Sequence, residues 1–195
     1  AVDLHPDMHA SRVGREIAAQ RSIPVIEVQH HHAHAVSCLI ENGYEEGLAL
    51  VFDGTGLGTD GTIWGAELLD VTSTGFKRLA TFKPVPLLGG DAAVLHPARQ
   101  LVARFFDAGI SVSQSWKERL QLSDEQLSIL RTQYERRMNA PLTHAAGRLF
   151  DSFSVLLGLA AQHVTYEGQT AIRVEATAHL CQKTPQQNLP FKTFE

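Results

Sequence analysis

The sequence predicts an α/β fold, with a mixed sheet in its first half and a mainly helical second half. Short apolar, β-branched runs recur before residue 84, and a turn dense in glycine and Asx residues separates two of them. After Pro84, Pro86 and Gly89-Gly90-Asp91 the apolar residues fall at three- and four-residue steps instead. At the start of the chain, Leu4-His5-Pro6-Asp7 reads as a cap for a helix over 7–20, with Val13 and Ile17 on its buried side and Arg12, Arg15 and Glu16 on its solvated side. Ile23-Pro24-Val25-Ile26-Glu27-Val28 suits a buried strand whose proline lies near its start. Ala35, Val36, Leu39 and Ile40 then form one apolar stripe at helical spacing, stopped by Asn42-Gly43. Leu48 to Phe52 is a second buried strand, closed by an elaborate hairpin loop from Asp53 to Gly61 and followed by strands over 62–70 and 75–82. Helices are expected over 91–106, 123–138, 143–157 and 168–180, with Ser123 and Gln126 as a capping box, and the end, 182–195, as an extended or mobile tail. A boundary between Pro84 and Asp91 divides the chain into an α/β part, 1–86, and a mainly helical part, 87–195, within one domain.

Composition excludes several classes of function. With 44% hydrophobic and 19% charged residues in a chain of 195, neither disorder nor a fibrous architecture is expected. The longest apolar run, 48–52, is far short of the roughly 20 residues a spanning helix needs, and no membrane partner is expected. A formal charge of -4 disfavours nucleic acid, whose phosphates attract a basic surface. Cys38 and Cys181 are too few and too distant for a disulfide framework, so a reducing cytoplasm fits best. Cys38 falls in the apolar part of its helix and reads as core; neither cysteine is assigned as a nucleophile, and no catalytic side chain is assigned at all. The unusual number is ten histidines, of which His30, His31, His32 and His34 are packed together.

Four residues apart at a helix start, His30 and His34 set two imidazoles on one face, and imidazole selects a divalent metal such as zinc or iron over magnesium. His31 stands three before His34 as a substitute ligand, whereas His32 points elsewhere. A carboxylate or water must complete the set, and Asp53 is the candidate because both segments follow the ends of predicted strands. A solvated helix start that carries histidines by accident is the plain alternative. The loop Asp53-Gly54-Thr55-Gly56-Leu57-Gly58 lacks the Gly-Lys-Ser/Thr ending of a P-loop, and a strand rather than a helix follows it. It reads either as a plain hairpin turn or as a glycine turn whose N–H groups approach phosphate oxygens. Gly147 lies inside a predicted helix at a cost of roughly 1 kcal/mol relative to alanine, which marks close approach of a backbone or ligand. Asp151, one turn later, is placed to accept bonds from ribose hydroxyls or to stand in solvent. Gly168, in Tyr166-Glu167-Gly168-Gln169, opens another helix, a position suited to sugar or phosphate.

Taken in order, these segments resemble one family. Asp3-Leu4-His5-Pro6-Asp7, Gln29-His30-His31-His32-Ala33-His34, Asp53-Gly54-Thr55-Gly56, Asp60-Gly61-Thr62-Ile63-Trp64-Gly65-Ala66-Glu67, Gly89-Gly90-Asp91, Gly147-Arg148-Leu149-Phe150-Asp151 and Tyr166-Glu167-Gly168-Gln169 are similar to motifs of the hydrogenase maturation carbamoyltransferase family, HypF, in its C-terminal part. That part is related to the tRNA threonylcarbamoyladenosine enzymes and to small-molecule O-carbamoyltransferases. The resemblance implies an actin-like, sugar-kinase-like fold with ATP and magnesium in its cleft. It implies transfer of a carbamoyl group, from an adenylate made of carbamoyl phosphate and ATP, to the C-terminal cysteine of a HypE-like acceptor protein. By motif, His30, His34 and Asp53 resemble ligands of a divalent metal. Asp53, Gly54, Thr55 and Gly56 resemble the loop facing metal and phosphates, and Gly147, Asp151 and Gly168 the nucleoside site. Members of the family carry further residues ahead of the Asp3 segment, a later Asn-Asp-Gly-Gly stretch with another aspartate ligand, and additional domains, so an excised fragment or a truncated relative is expected. A carbamoylating enzyme acting on tRNA or a small-molecule hydroxyl, and a non-catalytic nucleotide- or partner-binding module, are the alternatives.

Overall fold

The computed structural model describes residues 1–160 and 163–181; the expected tail over 182–195 lies outside them. The chain opens with β1 (Val2–Asp3), α1 (His9–Arg21) and β2 (Glu27–Val28), and the two strands pair in parallel with Asp3 opposite Val28. No side chain caps α1: its N-cap is Met8, and its end is set by Ser22 in the left-handed region at φ 50°. The buried strand expected over 23–28 is reduced to its last two residues. Ile23 to Ile26 are exposed, and Pro24 removes a ladder donor from the segment. Directly after β2, Gln29 caps α2 (His30–Glu41) by accepting the His32 N–H at 2.8 Å, and Asn42 ends the helix as expected. Only Ala35 of the predicted stripe is fully buried, with Val36 and Leu39 packed beside it; Ile40 is exposed.

The main sheet contains β3 (Glu46–Leu57), β4 (Ile63–Thr72), β5 (Gly75–Thr81), β6 (Val85–Pro86) and β7 (Leu142–Thr143), in the order β3-β4-β7-β6 with β5 also on β4. The sheet is mixed: β7 joins β4 in parallel through Ile63 and Thr143, and the other pairings are antiparallel. The expectation that Leu48 to Phe52 is a buried strand is corrected: only one of its faces is covered. Val51 faces the core with Trp64, Leu69 and Val71 under α2, while Leu48, Leu50 and Phe52 on the other face are 70%, 63% and 58% exposed. The strand alternates, as one with a single covered face must.

The second half is helical: α3 (Ala92–Leu95), α4 (Ala98–Asp107), α5 (Gln114–Leu120), α6 (Asp124–Arg136), α7 (Ala146–Leu156) and α8 (Gln169–Leu180). Pro97 splits the single helix expected over 91–106, because the residue before a proline disfavours helical backbone. The short α5, capped by Ser113, had not been expected; the capping box of Ser123 and Gln126 is present as read. Leu101, Val102, Phe105 and Phe106 of α4 pack with Leu120, Leu130 and Val155. Each such side chain contributes about 1.5–3 kcal/mol on burial. This helical core holds α7 against β3, so that the Asp53 segment faces residues from both ends of the chain. No helix among the described residues is long and apolar enough to cross a membrane.

Candidate metal and nucleotide site

The glycine-rich segment is not a hairpin tip but a bulge within β3. Phe52 pairs with Ala66 and Gly56 with Trp64, so residues 53–55 stand opposite Gly65 alone. Gly65 has φ 155°, and a Cβ there would lie 2.6 Å from the Asp53 carbonyl oxygen, so glycine is needed to let the bulged strand approach. A bulge re-aims side chains. Here it turns Asp53 out of the ladder and toward the His-rich start of α2.

There, His30 Nε2 lies 3.2 Å from His34 Nε2 and 3.1 Å from Asp53 Oδ2. Donor atoms of these three residues all fall within 4.8 Å of one another. Ligands about 2.0–2.2 Å from one ion stand roughly 3.0–3.5 Å apart, so the two shortest separations match shared coordination. Behind the cluster, His30 Nδ1 meets Asp3 Oδ2 at 2.7 Å, a charge-assisted bond that keeps the proton on Nδ1 and leaves Nε2 as a lone pair. That lone pair, the His34 Nε2 and the Asp53 carboxylate turn on a common point. Asp53 Oδ2 has no hydrogen-bond partner among the described residues. A proton relieves the repulsion between one pair; a divalent cation relieves it for all three, so the residues fit the metal that the resemblance implies.

His31 takes a different part from the substitute ligand the spacing allowed. Gln29 Nε2 donates to its Nδ1 at 3.1 Å and to the Leu57 carbonyl at 3.2 Å, which puts the remaining ring proton on Nε2, 3.5 Å from Asp53 Oδ2. Fully buried, the ring has a lowered pKa because burial disfavours its charged form. It serves as a neutral prop. His32 points away, as expected, and meets the Thr72 carbonyl oxygen at 2.8 Å.

Below this layer, the Trp64 indole donates to Asp60 Oδ1 at 2.9 Å, and the Arg78 guanidinium lies over its ring at 4.2 Å. Burial would raise the Asp60 carboxyl; bonds from the Thr62 hydroxyl and amide and from Trp64, with the Arg78 charge, hold it down to about 2. Arg78 also donates to the fully buried Glu67 at 2.6 Å, and Glu67 accepts the Gly65 N–H. This ion-paired brace fixes β4 opposite the bulge.

The remaining residues divide between two places. Gly147 abuts the bulge: a Cβ on it would lie 2.9 Å from Gly54 Cα, so the close approach expected there is that of a backbone. Gly54 N–H bonds to Asp53 Oδ1, and Thr55 is exposed. Asp151 and Gly168 instead line a cavity of about 300 Å³ at the start of α8. Asp151 is not solvated. It is buried, accepts the Thr170 hydroxyl at 2.5 Å and ion-pairs with Arg148 at 3.2 Å, with its pKa raised by burial. Cys38 is likewise not in the core; both cysteines are exposed and free.

Sequence reasoning missed the parts played by Asp3, Gln29 and Arg148. Asp3 was part of a motif, but the only signal for its role was a parallel pairing that aligns it with Val28, two residues ahead of His30. Asp3→Ala is expected to weaken metal binding by about 10–100-fold, the usual effect of losing an outer-shell carboxylate. Competition with a chelator measures it, and an unchanged affinity would refute the supporting role.

Comparison with known proteins places this arrangement. The family described as "Carbamoyltransferase, Kae1-like Domain, second subdomain" matches residues 49–195, and that described as "HypF Kae1-like domain" matches residues 1–41, so the class is that of Kae1-like carbamoyltransferase domains. The carbamoyltransferase HypF of Rhodobacter capsulatus is 43% identical over 182 residues, covering 91% of this chain and 24% of its own. HypF2 of Cupriavidus necator is 38% identical over 191 residues, with 97% and 23% covered. A crystal structure of full-length HypF in a phosphate- and nucleotide-bound form superposes with a TM-score of 0.78 at 34% identity, over 89% of this chain and 22% of that one. The T. kodakarensis HypF structure gives 0.82 at 27% identity, over 96% and 26%. The chain belongs to the HypF carbamoyltransferase family. It spans about a quarter of the length of these relatives.

Proposed function

We propose that the chain is the metal- and nucleotide-binding part of a carbamoyltransferase that passes a carbamoyl group from a carbamoyl adenylate to the C-terminal cysteine of a HypE-like acceptor. The convergence of His30 Nε2, His34 Nε2 and Asp53 on one point, with Asp3 behind His30, is the observation that carries the reading. Zinc or iron held there would supply a Lewis acid for a carbonyl or phosphoryl oxygen. The chain's own residues orient the site: Asp3 holds the His30 ring, Gln29 and His31 hold the floor beneath Asp53, and Gly147 lets α7 close on the bulge. The exposed Thr55 hydroxyl is a donor for phosphate, while Asp151 and Gly168 border the space for the nucleoside of ATP bound with magnesium. The division at residues 86 and 87 belongs to the same reading, the first part carrying the metal ligands and the second facing the nucleoside. The nucleotide-bound state of a HypF of the same fold supports the ATP reading.

Calorimetric titration of ATP with magnesium into the metal-loaded chain tests it. Saturable binding that Asp151→Ala removes is expected, and no binding to the folded, loaded chain would refute the nucleotide half. Thiocarboxamide formation on a HypE-like acceptor supplied with carbamoyl adenylate tests the transfer half. ATP binding without transfer by this chain would favour the non-catalytic module.

A further inference from the structure

Arg148 carries more charge than its surroundings use. It is 7% exposed, and its Nε and Nη1 make no hydrogen bond among the described residues. Nε has Asp151 Oδ2 at 3.2 Å as an ion-pair partner. That carboxylate is shared: it accepts the Thr170 hydroxyl through Oδ1, and it also attracts Arg104, whose own pKa is lowered to about 10 by burial. Asp107, the other acid acting on Arg104, is paired with Lys83. The buried Arg148 and the half-buried Arg104 therefore face one buried carboxylate, a local excess of positive charge in a chain whose total charge is -4.

The placement of this excess points to its use. Arg148 lines the cavity beside Asp151, together with the first turn of α8, whose Gly168 N-cap has no capping side chain. Unsatisfied N–H groups at the start of a twelve-residue helix favour an anion. Arg148 Nη2 also lies 3.7 Å from the position of a Cβ on Gly54, next to the metal candidate Asp53. The side chain thus spans the gap between nucleoside space and metal ligands. Glu167 is the acid at the cavity's edge, and it is exposed.

We propose that Arg148 is an anion ligand of this site, taking a phosphate oxygen of a nucleoside 5′-phosphate whose nucleoside lies in the cavity beside Asp151. A planar guanidinium whose Nε faces Asp151 and whose Nη1 has no partner among the described residues matches an oxyanion in geometry as well as charge, and the exchange removes the penalty of leaving Nη1 buried and unpaired. Asp151 then has two roles, partner of the nucleoside and orienter of Arg148. The inference rests on the nucleotide reading above and adds to it the residue that distinguishes a charged ligand from a neutral one.

The test is calorimetric titration of adenosine, AMP and ATP into the full chain, unmodified and with Arg148→Gln or Arg148→Lys. AMP is expected to bind the unmodified chain at least about 10-fold more tightly than adenosine, the effect of a charged hydrogen bond. Arg148→Gln should bring that ratio close to one. Arg148→Lys, which keeps the charge and loses the fork, should recover part of the ratio. An unchanged ratio in Arg148→Gln overturns the inference and leaves the nucleotide reading intact, whereas failure of all three ligands to bind the unmodified chain overturns both. Circular dichroism establishes that the variants fold, and if the glutamine variant does not, an unchanged ratio in Arg148→Lys is the overturning result.

Discussion

His30→Ala and His34→Ala are each expected to lower the affinity for a divalent metal, by more than the roughly 10–100-fold that outer-shell changes produce. Each removes one of only three protein donors that meet at the site among the described residues, and water must replace it. His30→Ala is expected to be the more severe. Its ring is the hub, 3.2 Å from His34 Nε2 and 3.1 Å from Asp53 Oδ2, and it also ties α2 to Asp3 on β1. His34 is exposed and touches the cluster through one nitrogen, so its loss removes a donor without unfastening anything. Metal content after purification in zinc- or iron-supplemented medium, read by elemental analysis, measures both. Unchanged content in both variants would remove the metal reading. Loss in His31→Ala alone would mean that the ligand set has been misassigned.

Gly56→Ala is expected to destabilise the fold and loosen metal binding together. A Cβ there would lie 2.5 Å from His31 Cε1 and 3.0 Å from His30 Cδ2, and neither ring can retreat. His31 is buried, held by Gln29 and packed near Trp64, while His30 is held by Asp3. Overpacking of this kind costs about 1–3 kcal/mol, or about 2–12 °C in melting temperature at this chain length. Gly147→Ala is a more balanced case. The helix gains about 1 kcal/mol in propensity, but the new methyl meets the Gly54 backbone at 2.9 Å, which only a shift of β3 or α7 can relieve. Gly75→Ala is the control, with nothing within 4 Å of the added carbon. Thermal melts with metal titrations distinguish the three. A Gly56→Ala variant that melts with wild type and binds metal equally would show that the α2–β3 approach is looser than described.

How much of this could be read beforehand follows from the range of the interactions. Helix periodicity, the capping box of Ser123 and Gln126, the Asn42-Gly43 stop and the pairing of His30 with His34 are local. They depend on spacing within a few residues, and the structure contains them. Pro97 was an equally local signal for the break between α3 and α4, and apolar periodicity across it hid the break. Runs such as Leu48 to Phe52 mislead because a strand covered on one face and one covered on both can share the same apolar letters. What lies on the second face is decided by other elements.

By itself, the sequence determined the α/β class, the helical second half and the pair of imidazoles four residues apart, because local backbone preference and side-chain periodicity suffice for these. The tertiary structure alone decided the remainder. A parallel pairing of two-residue strands brings Asp3 to His30 across 27 positions; a bulge of residues 53–55 carries Asp53 to the same point; and α7 packed on that bulge buries Arg148 with Asp151. Contacts between distant segments depend on register and on closest approach of backbones, and neither is encoded in any short window of residues.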